Sequence, residues 1–261
     1  MMTRDELLAL HDQQVRGTVA ARMPASWEAV QDGPVLQVAT PGRGLVFAPD
    51  LDGVSVEQLD ALIGRVRDRA VTNGRAVEWK TYGHDRPDLP ERLRLAGFTA
   101  DSTETVVIGL AADLTQAGTA PDGVTIRATT ELADLRKIGA LESEVWGEDL
   151  SWLADDLHDR IRSAPDNIVI LVAEAAGEVV SAAWLVVFPG TEFAALWGGS
   201  TLTRWRRKGI YRALVAHRAR IAVDRGIKYL QVDASDNSSP ILQRLGLQPV
   251  TATTPYLWKP S

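Results

Sequence analysis

The run Arg206-Arg207-Lys208-Gly209-Ile210-Tyr211 constrains this chain more than any other stretch. Before it, Phe193 to Thr201 is an apolar run with Gly198-Gly199-Ser200 at its end, and it reads as a strand. After it, Ile210, Leu214, His217 and Ile221 recur at helical spacing, which predicts a helix to about Asp224 with that face inward. The basic run is therefore a strand-to-helix turn. A helix N-terminus carries positive partial charge and unpaired N–H groups, so acids and Ser, Thr, Asp or Asn caps are favoured there. Here Arg204, Arg206, Arg207, Lys208 and Arg212 crowd the spot, and no such cap immediately precedes Gly209. An anion on those amides removes the conflict, and Gly209 lets its oxygens approach the backbone.

The spacing Arg-x-x-Gly followed by a helix resembles the pyrophosphate loop of the GCN5-related N-acetyltransferases (GNATs), in which successive amides hold acetyl-coenzyme A. The family signature reads Arg/Gln-x-x-Gly-x-Gly/Ala, whereas this chain carries Tyr211 at the last position and Arg207 where Gly is frequent. Downstream, Tyr229-Leu230-Gln231-Val232 reads as the next strand. Ile241-Leu242-Gln243-Arg244-Leu245-Gly246-Leu247 is similar to the family's Leu-Tyr-x-Lys-Leu-Gly-Phe segment. The resemblance runs in order over Val124 to Trp258.

The net charge of -6 argues against a broad nucleic-acid surface, and a local basic patch on an acidic body suits a small anionic ligand better. With no cysteine there is no disulfide framework, thiol nucleophile or thiolate metal site. The histidines lack metal-ligand spacing, so no metal is expected. The first ten residues, with Arg4, Asp5 and Glu6, do not read as a signal peptide. No apolar run reaches the about 18 residues of a membrane span, which makes the cytoplasm the expected location.

Along the chain, Asp5 to Ala20 reads as a helix. Pro34 to Val38 and Leu45 to Ala48 read as strands joined by a turn over Pro41-Gly42-Arg43-Gly44. A helix over Val54 to Ala70 and a strand over Ala76 to Tyr82 follow. Asp88 and Glu91 are placed to form a capping box. The helix they open ends at Gly97-Phe98, before a strand over Thr105 to Leu110. Strand, helix ending in Leu-Ala-Gly-Phe, strand looks like the second half of an acetyltransferase lobe repeated. Asp50 and Asp52 stand where that lobe would need basic residues, which marks a degenerate copy. Leu114 to Gly123 is breaker-rich and separates lobes at 1–116 and 122–261. The second lobe reads as a strand from Val124, helices over Glu131 to Val145 and Leu150 to Ile161, and strands over Asn167 to Glu174 and Val179 to Val187. Thr254 to Trp258 is the last strand.

By resemblance, Thr201, Leu202 and Thr203 offer backbone groups to the pantetheine arm, Arg206 to Tyr211 take the pyrophosphate, and Ser235 falls where many members carry an Asn. The tyrosine that often protonates the leaving thiolate maps to Leu242, and the general-base glutamate of some members maps near Ala195. Replacement candidates are Glu142, Glu144, Trp146 and Glu148 between the two helices, with Glu144 the preferred base and Asp233 a second candidate. Trp146 and Trp197 are candidate walls of the acceptor pocket. The alternative for each is plain: exposed helix charges for Glu142 and Glu144, and packing for the tryptophans.

The expected fold is α/β, two tandem GNAT-like mixed-sheet lobes with flanking helices. The expected function is transfer of an acetyl group from acetyl-CoA to an amine on a small molecule, peptide or protein, mainly by positioning. The rivals are a non-catalytic acetyl-CoA sensor and a transferase using another acyl donor such as aminoacyl-tRNA. Neither the acceptor nor the oligomeric state has a readable code.

Overall fold

The computed structural model describes residues 2–23, 27–40 and 42–260. The chain gathers into two compact units. The first comprises Met1–Val107, Asp233–Pro240 and Pro249–Ser261; the second comprises Ile108–Val232 and Ile241–Gln248.

In the first unit, α1 (Arg4–His11) is capped by Thr3, whose hydroxyl accepts from the Glu6 N–H. The single helix expected from Asp5 to Ala20 is broken into this helix, a π-helical stretch Asp12–Arg16 and a 3-10 turn Val19–Arg22. Thr18 Oγ1 donates to the Gln14 carbonyl at 2.6 Å, and Arg16 turns inward to Asp85 at 2.6 Å. Three antiparallel strands follow, β1 (Glu28–Asp32), β2 (Val35–Ala39) and β3 (Gly44–Phe47). The connection between β2 and β3 was expected to turn on Pro41, which lies outside the described residues.

α2 (Val56–Asn73) then crosses to β4 (Val77–Tyr82), which lies parallel to β3. Ser55 caps α2, closing a capping box with Gln58. The box expected at Asp88 does not form at α3 (Leu89–Leu95), because Arg86 holds both Asp88 oxygens, at 2.6 and 2.9 Å. β5 (Thr99–Ala100) and β6 (Glu104–Leu110) follow. The chain's last strand, Gln248–Trp258, pairs antiparallel with β4 and with β5. Leu59, Ile63, Val66, Trp79, Leu93 and Phe98 form the core under α2 and α3.

The second unit begins inside β6 and continues through α4 (Ala111–Leu114) and β7 (Val124–Thr129). The breaker-rich stretch before β7 lies against the helix that follows the basic turn: a Cβ at Gly118 would stand 3.0 Å from Arg212 Cβ. Next come α5 (Leu132–Trp146), α6 (Leu153–Ser163), β8 (Ile168–Ala175), β9 (Glu178–Val187) and β10 (Phe193–Thr201). After them run α7 (Ile210–Asp224), β11 (Tyr229–Ala234), α8 (Ser239–Arg244) and β12 (Gln248–Trp258). β7, β8, β9 and β10 are antiparallel neighbours, and β11 adds in parallel beside β10.

Strand alternation divides the second unit's core in two. Ile170, Val172, Ala182 and Trp184 face Leu135, Ile138 and Leu157 of α5 and α6. Leu171, Ala173 and Ala183 face Ile210 and Leu214 of α7. Each large side chain so covered contributes about 1.5–3 kcal/mol. α7 buries a wider face than its predicted stripe: Ala213, Ala216, Ala219 and Ala222 are all buried, and so is Arg218. Small side chains let this helix lie close to the sheet. His217, expected inward, is only partly buried. None of the described helices is long and apolar enough to cross a membrane.

Candidate active site

Two glycines inside β10 reshape the strand just before the basic turn. Gly198 pairs with Ala183 and Ser200 with Ala182, leaving Gly199 as an extra, bulged residue. Both glycines adopt positive φ, 66° and 87°. Side chains are excluded as well: a Cβ at Gly198 would lie 2.5 Å from Trp184, and one at Gly199 would lie 2.8 Å from Tyr211. Trp197 opposes Trp184 and Ser200 opposes Ala182, so Trp197 and Ser200 share the α5 face. In an unbulged strand they would point to opposite faces.

β10 outruns its neighbour. Its pairing with β11 covers only Phe193 to Ala195, against Tyr229 to Gln231. From Leu196 onward β10 holds to β9 alone. Arg218, only 1% exposed, stabilises this stretch from α7 by donating to the Trp184 carbonyl at 3.3 Å and the Trp197 carbonyl at 3.0 Å. Burial pulls its pKa down to about 10, with no carboxylate bonded to it.

The basic turn is built as the sequence predicts, but it is tighter. Thr203–Trp205 forms a 3-10 turn, Arg206 is extended, and Arg207 takes φ 64°. Gly209, at φ 88°, opens α7 with no side-chain cap and no acid in the first turn. A Cβ on Gly209 would meet nothing within 4 Å, so the space above the helix end is open. Arg206 Nε donates to the Thr201 carbonyl at 3.0 Å. The Lys208 ammonium stands 4.3 Å from the centre of the Trp205 ring. Burial raises the Tyr211 phenol's pKa, keeping it neutral. α2 of the first unit is the internal contrast, since Ser55 satisfies its amides and Glu57 sits in its first turn. An anion fits the end of α7 and not that of α2.

The other predicted residues divide clearly. Leu202 is buried, and its N–H already donates to Val180 at 3.0 Å. Thr201 is buried beside Ser181, with the two hydroxyls 2.8 Å apart. Thr203 is exposed. Ser235 accepts from the Ser238 and Ser239 amides at 3.0 and 2.8 Å, forming a local turn. Glu144 points outward to Arg204 at 3.2 Å, and Arg204 also pairs with Glu178. Asp233 lies in the first unit, ion-paired with Lys80. Trp197 is 48% exposed, and Trp146, 62% exposed, is not a core residue.

Glu142 is not an exposed helix charge. It is 3% exposed, and its Oε2 accepts from Ser200 Oγ at 2.6 Å and from Trp146 Nε1 at 2.9 Å. Burial raises its pKa, against the opposing pull of those two donors. The signal was present: Glu142 falls on the stripe of Leu135 and Ile138, at helical spacing. Ser200, which lacks the surrounding pattern of a hydrolase nucleophile, is brought here by the bulge.

A profile described as the acetyltransferase (GNAT) family matches residues 132–246. No curated protein sequence matches the chain. Among solved structures, a GCN5-related N-acetyltransferase from Kribbella flavida is similar at 16% identity and TM-score 0.71, covering 95% of each chain. A tandem GNAT protein from the clavulanic acid biosynthesis pathway is similar at 13% identity and TM-score 0.63, covering 100% of this chain and 98% of its own. A GCN5-related N-acetyltransferase from Sphaerobacter thermophilus is similar at 15% identity and TM-score 0.63, covering 98% of this chain and 91% of its own. The chain thus has the α/β fold of those proteins along nearly its whole length, and its residues 132–246 match the GNAT acetyltransferase family.

Proposed function

We propose that this protein is a cytoplasmic N-acetyltransferase. It takes the acetyl group of acetyl-CoA to an amine on a small molecule, peptide or protein, using the lobe at 122–261, while the lobe at 1–116 is a degenerate copy that has kept no cofactor site. The observation that carries this reading is the uncapped start of α7 at Gly209, open above and ringed by Arg206, Arg207 and Lys208. The amides of Ile210 and Tyr211 and the basic side chains would hold the pyrophosphate. The edge of β10 that β11 leaves unpaired would take the pantetheine arm. Acetyl-CoA supplies the thioester; the chain supplies orientation. Holding an amine against a thioester removes an entropic barrier worth roughly 7–11 kcal/mol, which suits a site where Leu242 and Ala195 offer no acid or base.

Calorimetric titration of acetyl-CoA into the wild type and Gly209→Asp tests the reading. Micromolar binding to the wild type, lost in a variant that still melts cooperatively, is the expected result. A folded wild type that binds no acetyl-CoA overturns it.

A further inference from the structure

Glu142 is an expensive residue to keep where it is. A buried carboxylate without a cation is destabilising unless its oxygens are fully hydrogen-bonded. Here Oε2 has two donors and Oε1 has none. Neither donor is charged, and the carboxylate two residues on, Glu144, is turned to Arg204 on the surface. A glutamine would fill the same volume without the charge, so packing alone does not explain a carboxylate at this position.

Its surroundings suggest a use. Ser200 is held at the bulge by its own carbonyl, which accepts from Ser181 Oγ at 2.6 Å. It gives its only hydroxyl proton to Glu142 and so keeps lone-pair capacity for an incoming N–H. The indole N–H of Trp146 lies 3.3 Å from Ser200 Oγ and 2.9 Å from Glu142, filling the position such a donor would take. Trp146 is the last residue of α5, followed by Gly147 at φ 73°, and its ring is mostly exposed, so it can turn away at little cost to the core.

We infer that Ser200 and Glu142 are the proton-accepting side of the acceptor subsite, and that the acceptor is a primary amine arriving as its ammonium ion. This rests on the acetyltransferase reading above. The ammonium displaces the Trp146 N–H and gives one proton to Ser200 Oγ as Ser200 gives its own to Glu142 Oε2. The freed amine nitrogen forms a bond to the acetyl carbon, and the carbon–sulfur bond breaks. The second nitrogen proton goes to the departing thiolate, and Glu142 returns the first to solvent. Burial, which raises the carboxyl's pKa, makes it a better proton acceptor than an exposed glutamate.

The experiment measures acetyl-CoA binding by calorimetry, and thiol release from acetyl-CoA with a panel of alkylamines, polyamines and lysine peptides. It uses the wild type, E142Q and S200A. The expected result is acetyl-CoA affinity within about twofold of wild type in all three, with turnover reduced on the order of a hundredfold or more in E142Q. The deficit should shrink by roughly tenfold per pH unit between pH 7 and 9, as free amine replaces ammonium, a profile that a merely structural role would not produce. If E142Q does not fold, S200A is read by the same profile. Wild-type rate and pH profile in a folded variant overturn the inference and leave the acetyltransferase reading standing, whereas cofactor binding by the wild type without turnover of any amine overturns the inference and favours the non-catalytic sensor. A wild type that binds no acetyl-CoA overturns both.

Discussion

Tyr211 lays its ring over Gly199, so that a Cβ added to the glycine would fall 2.8 Å from Tyr211 Cε2. The tyrosine stands where the family signature has a small residue, and the bulge has no side chain where the ring lies. The two departures from regularity fit each other and lock the first turn of α7 to the end of β10.

Gly199→Ala should therefore cost stability twice, through positive φ and through the displaced ring. We expect a loss of roughly 1–3 kcal/mol in urea denaturation, together with weaker acetyl-CoA binding. Gly199→Ala with Tyr211→Ala should recover the part due to the ring and not the part due to φ.

Arg218 holds β9 and β10 together from beneath through the Trp184 and Trp197 carbonyls, and also donates to the Leu214 carbonyl at 3.1 Å. Charge-assisted bonds of this kind are worth roughly 1.5–3 kcal/mol each, which outweighs the relief of removing a buried charge. Arg218→Met should lower stability by about 2 kcal/mol, and a urea titration reads the change.

Ser55→Ala should cost about 1 kcal/mol by removing the α2 cap. Acetyl-CoA affinity should stay at the wild-type value, since α2 offers no anion site. A parallel titration checks both halves of that expectation.

Glu104 gives a pH signature within the first unit. Burial, then repulsion from Asp233, pushes its pKa from 4.5 up to about 7, partly offset by Lys80. Because the folded state holds this proton more tightly, the group contributes stability that is present below about pH 4.5 and lost as pH rises through about 7. Glu104→Gln should flatten that part of the stability curve, and at pH 8 it should exceed wild type by about 1 kcal/mol once solvent screening is allowed for. Denaturation midpoints at pH 5 and pH 8 decide it.

The strand, basic turn and helix were legible because apolar period and charge agree over residues 193–224. The split between the two helix ends was legible too, from Asp50 and Asp52 against Arg206 and Lys208. β1 was missed because Glu28–Asp32 is an exposed strand with little alternation. Glu142 carried an exposed helix charge as its alternative and Arg218 drew no reading, because polarity was weighed above position, although both lie on apolar stripes. The paired glycines marked the end of a strand in the reading, whereas they mark a bulge inside it. The partner of the last strand could not be read from local pattern at all, since a non-local pairing leaves no trace in spacing.

That last pairing has a consequence for the order in which the protein is made. β4 emerges early from the ribosome, yet β12, which covers its edge through Val77↔Trp258 to Tyr82↔Thr253, is made only after the second unit's strands. The first unit therefore waits for the whole second unit to be translated before its sheet is complete. Until then the Val77–Tyr82 edge is bare and open to pairing with another chain. Removing Thr253–Trp258 would thus unravel the unit built around β4, a loss felt about 170 residues earlier in the sequence.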